Sequence, residues 1–200
     1  MNLKYIMALM LMLHIFLYVW KALIPFAFSL SQPFEMKMVT MAGMCILTVV
    51  VIFISRTKKT SLAVCPRQFD APTITVLLLS TLMLVSTAVL FTKGSHGFWL
   101  LLYGSIVTPL FEELLFRGHI YGIQQHIHRS MLSVVVINAL LFSIWHLGYI
   151  VNPLLCGEWM ALGKLVAGLL YGLVLAYIRF RTKSTLCCIL LHGVINGCAN

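Results

Sequence analysis

Apolar residues fall into seven long runs separated by short polar breaks, and the runs show neither strand alternation nor a one-sided helical stripe. They cover about residues 5–24, 37–55, 73–92, 98–116, 131–151, 160–178 and 184–198. Pro25 follows the first run, Arg56, Lys58 and Lys59 the second, Lys93 and Gly94 the third, and Arg179, Arg181 and Lys183 the sixth. The longest break is a polar segment, 57–72, with Arg67 and Asp70. A helix needs roughly 20 mostly apolar residues to cross a bilayer. The pattern therefore predicts an all-α, polytopic transmembrane helical bundle of about seven spans, within a bracket of six to eight. Residues 1–200 then form one integral-membrane domain, and the break at 57–72 leaves no room for a separate soluble one.

Composition strengthens this reading. Of the 200 residues, 61% are hydrophobic and 10% are charged, with a mean hydropathy of +1.00. Soluble domains carry about 25% charged residues, and a soluble chain of this size could not hide so much apolar surface. The lipid bilayer is the expected partner. The net charge of +9 does not point to nucleic acid, because the basic residues sit between apolar runs and form no basic face with interleaved aromatics. With seven spans, one side of the membrane holds Lys4, Arg56, Lys58, Lys59, Arg67, Arg117, Arg129, Arg179, Arg181 and Lys183, and the other Lys21, Lys37, Lys93 and Lys164. This bias predicts a cytoplasmic N-terminus and an external C-terminus. The run 5–24 is longer than a signal-peptide core and has no prompt small-x-small site after it, so a retained first span is expected. Six cysteines, without zinc-site or disulfide spacing, read as small buried hydrophobes. Gly168 and Gly172, four apart in the sixth run, predict close helix packing within the bundle.

The chemistry concentrates in very few residues. Glu35, Asp70 and Glu158 fall in expected loops, whereas Glu112 and Glu113 lie inside an apolar run, TPLFEELLFRG. Ionisable groups at membrane depth are costly and face a bundle interior or a water-filled cavity. Adjacent helical residues point about 100° apart, while residues four apart share a face. Glu113 and Arg117 can thus pair, which leaves Glu112 available for proton transfer. His146 lies within the fifth run, one turn after Phe142, and His192 lies in the seventh, one turn before Asn196. His14, in the first run, reads as a packing residue. Glu112 and His146 are each 17 residues from Arg129, which puts them at matching depth, roughly 25 Å along their helices. His192, nine residues past Lys183, reaches only roughly 13 Å by the same rise.

In order along the chain, EELLFR fits an EExxxR pattern, FSIWH an FxxxH pattern and HGVIN an HxxxN pattern. The ordered trio resembles the CPBP (Abi) family of intramembrane proteases. That family includes the type II CAAX prenyl endopeptidases and bacterial relatives linked to bacteriocin processing and self-immunity. The resemblance covers 98–200, taken as the catalytic core, and leaves 1–97 as accessory spans without a signature. It implies an intramembrane endopeptidase acting on a peptide or membrane-associated protein substrate. It implies that Glu112 is the catalytic base, that His146 helps hold the attacking water, and that His192 and Asn196 stabilise the tetrahedral oxyanion. Glu113 and Arg117 are then supporting residues and Phe142 a wall of the site.

Peptide hydrolysis needs a base for water, donors for the oxyanion and a proton for the leaving amine. These residue types supply all three without a serine or cysteine nucleophile. No cofactor is expected. A zinc-dependent version would draw on Glu112, His146 and His192 as ligands, although no HExxH helix is present. Two other classes compete: a non-catalytic membrane immunity or scaffold protein, and a transporter with an intramembrane Glu/His relay. Against the transporter, the chain shows no internal repeat.

Overall fold

The computed structural model describes residues 3–91, 94–127 and 130–199. Lys93 and Arg129, used above as span boundaries, lie outside the described residues. Eight helices are present among the described residues: α1 (Leu3–Phe28), α2 (Pro33–Thr57), α3 (Ala71–Phe91), α4 (Gly94–Ile127), α5 (Met131–Trp145), α6 (Leu147–Leu155), α7 (Gly163–Thr182) and α8 (Thr185–Ala199). A single 3₁₀ turn, Trp159–Leu162, leads into α7. Five segments are long and apolar enough to cross a membrane: α1, α2, α3, α4, and α7 with its leading turn. The pair α5–α6 adds a sixth, bent by 42°, and α8 is apolar but shorter. The chain is an all-α, multi-pass membrane protein.

The bundle is apolar on its outer surface as well as in its core. Large apolar side chains such as Met12, Val49, Leu78, Val89 and Leu132 are exposed on its outer surface. The side chains of Glu112, Glu113, Arg117 and His192 are buried within. Lipid tails are as apolar as leucine, so helices associate through close packing and interhelical hydrogen bonds. α1 contributes one stripe at helical spacing: Ile6, Leu9, Met10, Leu13 and Leu17. α2 answers with Met44, Leu47 and Val51. Gly43 lets α2 approach Trp20, whose indole N–H donates to the Val39 carbonyl at 2.8 Å. Gly168 and Gly172 both face neighbouring helices: a Cβ on Gly172 would stand 3.0 Å from Ala139 Cα, and one on Gly168 3.1 Å from His146 Nδ1.

Several boundaries differ from the sequence expectation, each for a local reason. Pro25 does not end the first span; α1 continues to Phe28. A proline near a helix end disturbs only the last turn, and membrane helices tolerate it. Glu35 lies in the first turn of α2 rather than in a loop, where its carboxylate accepts the N–H groups of Ser31 and Gln32, each at 3.0 Å. That placement suits the positive end of the helix. The fourth span is longer than expected, running from Gly94 to Ile127 with Glu112 and Glu113 well inside it. The fifth breaks at His146.

The polar segment after α2 is built into the structure. Asp70 caps α3 by accepting the Thr73 N–H at 3.2 Å, and this contact with Thr73 holds its carboxyl below the usual carboxylate range. Leu62 packs on Gly118 of α4, while Ala63 O and Val64 O accept the Thr185 and Leu186 N–H groups at the start of α8. A helix N-terminus leaves such donors without internal partners. The segment therefore sets the depth of α8. Leu62 both packs on Gly118 and accepts the Thr185 hydroxyl at 2.7 Å, so α8 starts beside Gly118. From that level His192 is seven residues along α8, about 10.5 Å, and Glu112 six residues back along α4, about 9 Å. The depth mismatch expected from the sequence disappears.

Candidate active site

α4 presents its polar residues through an irregular backbone. Two stretches, Leu102–Val107 and Leu114–Ile120, are wide π turns in which N–H groups reach back five residues. Such turns are rare and concentrate at functional sites. Pro109 accounts for the first. The Thr108 N–H bonds to Tyr103 O, five residues back. The next donor in that register would be residue 109, a proline without an N–H. The carbonyl of Gly104 is thereby released, and Asn196 of α8 donates its amide to it at 2.9 Å.

Between the two wide turns stand Glu112 and Glu113, and Arg117 lies in the second. Glu113 and Arg117 are fully buried and paired, with Arg117 Nη1 donating to Glu113 Oε1 at 2.9 Å. Arg117 Nη2 donates to Gly172 O at 3.1 Å, and its guanidinium lies 4.2 Å from the centre of the Phe142 ring. The same Glu113 oxygen meets His192 Nδ1 at 2.8 Å. A carboxylate bonded to arginine can only accept, so Nδ1 of His192 carries the proton. His192 Nε2 then faces the other glutamate, 3.9 Å from Glu112 Oε2. A single water can bridge a gap of that size.

Glu112 is only 3% exposed. Its Oε1 accepts the indole N–H of Trp145 at 3.2 Å, leaving Oε2 directed at His192. Its two oxygens thus have different surroundings. His146 stands one ring further out. At the kink between α5 and α6 its Nδ1 lies 2.8 Å from the Phe142 carbonyl, which fixes the proton on Nδ1 and leaves Nε2 as an acceptor. Phe142 touches both imidazoles, with ring centres 4.9 Å from His146 and 5.8 Å from His192.

The structure thus brings Glu112, Glu113, Arg117, Phe142 and His192 into direct contact. It sets His146 beside them across Phe142, and Asn196 one turn beyond His192 on the wide turn of α4. Trp145 was missed by the sequence reading. Its signal was available, since a buried indole N–H needs an acceptor and Trp145 follows Phe142 by three residues on the same helix. A zinc site is the alternative arrangement. It would require Glu112, His146 and His192 to converge, yet among the described residues no three His, Cys, Asp or Glu side chains are grouped to hold an ion. His146 and His192 each have one ring nitrogen engaged by protein, which leaves Nε2 as the donor each could offer.

A family model described as type II CAAX prenyl endopeptidase Rce1-like matches residues 94–198. Comparison with curated proteins and with solved structures gave no match. The matched stretch opens at the first residue of α4 and extends through α8, taking in both glutamates, both site histidines and Asn196. It spans more than half of the chain, and on that ground the protein belongs to the type II CAAX prenyl endopeptidase Rce1-like family of intramembrane proteases.

Proposed function

We propose that this protein hydrolyses a peptide bond of a membrane-associated substrate by direct attack of water activated by Glu112, without a metal and without an acyl-enzyme. The observation that carries the reading is the asymmetry of the Glu112 carboxylate. Trp145 holds Oε1 at 3.2 Å, while Oε2 faces His192 Nε2 at 3.9 Å.

In this mechanism a water bound against Glu112 Oε2 gives its proton to the carboxylate as its oxygen attacks the substrate carbonyl. The Nε2 lone pair of His146 accepts a hydrogen bond from that water and holds it. The charge that develops on the carbonyl oxygen is met by His192 Nε2–H and by the Asn196 amide. For Nε2 to donate while Nδ1–H is committed to Glu113, the ring must be an imidazolium. Glu112 then passes its proton to the leaving nitrogen, the C–N bond breaks, and the products are an acid and an amine. Arg117 holds Glu113 in place, and burial makes electrostatic interactions count for more than in bulk water.

The test uses purified protein in lipid vesicles with a peptide substrate ending in a prenylated CAAX sequence. Glu112→Gln is expected to slow cleavage by about 10²–10⁴-fold with no change in thermal unfolding, and a strong chelator is expected to leave the wild-type rate unchanged. Cleavage by Glu112→Gln at the wild-type rate would sink the reading. Stoichiometric zinc whose removal abolishes activity would replace it with the metal-dependent version.

A further inference from the structure

A cavity of about 260 Å³ lies where the polar ends of two spans, α3 and α7, meet the segment after α2. One wall is the end of that segment, with Arg67, Gln68 and Asp70, continued by Thr73 in the first turn of α3. The other is the end of α7 and the turn after it, with Arg181 and Lys183. The walls are distant in sequence but fixed to each other. Ser184 Oγ donates to Val64 O at 2.9 Å, and the Thr185 N–H donates to Ala63 O at 2.8 Å. Charge in the cavity is unbalanced, with three cations against one carboxylate. Asp70 is committed to the cap of α3, and Arg181 acts on it only through space. Among the described residues, Arg67, Arg181 and Lys183 form no ion pair with a carboxylate. Burial first, then the like charges of Arg179 and Arg181, hold the Lys183 ammonium below the usual lysine range.

Helix electrostatics explain part of this crowding. The dipole of α7 favours Arg181 and Lys183 at its negative end, but it does not favour Arg67, which stands by the positive end of α3. Lys183 also carries a backbone cost. Its φ is 53°, in the left-handed region that glycine adopts most cheaply. Its Nζ lies 3.9 Å from the centre of the Phe180 ring, at the edge of the apolar span. Two guanidiniums and an ammonium around one cavity suit a phosphate, since each planar fork can bond two oxygens and the ammonium adds a point charge. The surroundings suit a phosphate that carries apolar chains. Arg181, Tyr177 and Val174 share a face of α7 at spacings of four and seven residues, and Asp70, Ile74 and Leu78 share one of α3 at four and eight. Ile74, Leu78, Val174 and Tyr177 are all exposed on the apolar outer surface.

We propose that this cavity binds the headgroup phosphate of an anionic phospholipid through Arg67, Arg181 and Lys183, with the acyl chains lying along the outer faces of α3 and α7. Basic pockets at the polar ends of spans are suited to such headgroups. The bound lipid joins the end of α7 to the segment that seats α8, so it stabilises the fold. Hydrolysis at Glu112 does not depend on it.

The test titrates the full-length protein in dodecyl maltoside with dioleoyl phosphatidic acid and with dioleoyl phosphatidylcholine, and reads the lipid-bound fraction by native mass spectrometry. Phosphatidic acid is expected to bind about ten-fold more tightly. Arg67→Gln with Arg181→Gln should remove the difference. Arg56→Gln with Lys59→Gln, which takes two cations from the far end of the same segment, should keep it. All four positions are exposed, so unfolding without lipid should match the wild type. Should the cavity doublet fail to fold, Lys183→Gln decides, with an expected loss of about five-fold in affinity for phosphatidic acid. Equal affinity of the wild type for the two lipids overturns the proposal, as does a preference that survives the cavity doublet, an affinity that Lys183→Gln leaves unchanged, or a preference that Arg56→Gln with Lys59→Gln also removes. Thermal unfolding distinguishes the source of the phosphate. Phosphatidic acid is expected to raise the midpoint, and inorganic phosphate at equal concentration to leave it unchanged. Equal stabilisation by inorganic phosphate would make this a free-anion site and overturn the lipid assignment.

Discussion

The segment from Gly94 onward and the two helices α1 and α2 use polar side chains in opposite ways. In the first, polar groups bond to one another across helices. Glu113 holds Arg117 and His192, Asn196 holds the Gly104 carbonyl, and Asn138 donates to both Gln124 and the Phe116 carbonyl. In the second, hydroxyls turn back on their own helix. Thr40, Thr48 and Ser55 each donate to the carbonyl four residues earlier. Where α1 and α2 do send polar contacts outward, these land on the other segment. Tyr5 and Ser55 both reach His119 of α4, and His14 rests on Trp145. One region makes a site; the other buttresses it. Motif spacing records the first kind of constraint, because the groups must meet each other. It is silent on the second, where a helix need only present a suitable atom at one height.

The comparison can be broken at three strengths. Glu113→Gln should have the largest effect, about 3–5 kcal/mol of stability, because it leaves the fully buried Arg117 without its counter-charge. Thermal unfolding in detergent reads it, and a change within about 1 kcal/mol would show that the pair is not what holds the site together. Asn196→Ala should cost about 1–3 kcal/mol by stranding the Gly104 carbonyl. Pro109→Ala in the same chain should return part of that loss, since residue 109 then has an N–H to offer. A double-mutant cycle without coupling would refute the account of the wide turn. Ser55→Ala in α2 should cost least, about 0.5–1.5 kcal/mol, because Thr60 still bonds His119 Nδ1 at 2.8 Å. A loss larger than that of Asn196→Ala would erase the distinction between site and buttress.

The helices themselves were legible because apolar runs must form helices in lipid, where every backbone group needs an internal partner. Glu112, Glu113 and Arg117 were legible because charge at depth is costly, and their spacing of one and four residues fixed which two would pair. Helix rotation was not legible. When all faces of a helix are apolar, hydropathy carries no phase, so nothing marked the side of α1 on which His14 sits or showed that it meets Trp145. The break at His146 and the wide turns of α4 were hidden for a related reason, since they depend on which neighbour relieves an unsatisfied carbonyl. Pro109 was visible, but a proline by itself does not announce a wide turn before it. The depth of His192 was misjudged because the segment 60–64, which seats α8 inside the bundle, reads in sequence as an ordinary polar loop.

The bond between Asn196 and the Gly104 carbonyl also bears on how the chain is assembled at the membrane. α4 can enter lipid as an apolar helix, but alone it carries a carbonyl that its own backbone cannot satisfy and a glutamate whose imidazole partner lies 79 residues further along. Both needs are met by α8, which is synthesised after α4. Span four would therefore reach the bilayer well before it is complete, and during that interval water, a lipid headgroup or an insertion factor must cover its polar flank. Docking of α8 closes the backbone defect and organises the glutamate pair in one step, so the arrangement of the site waits on the arrival of α8.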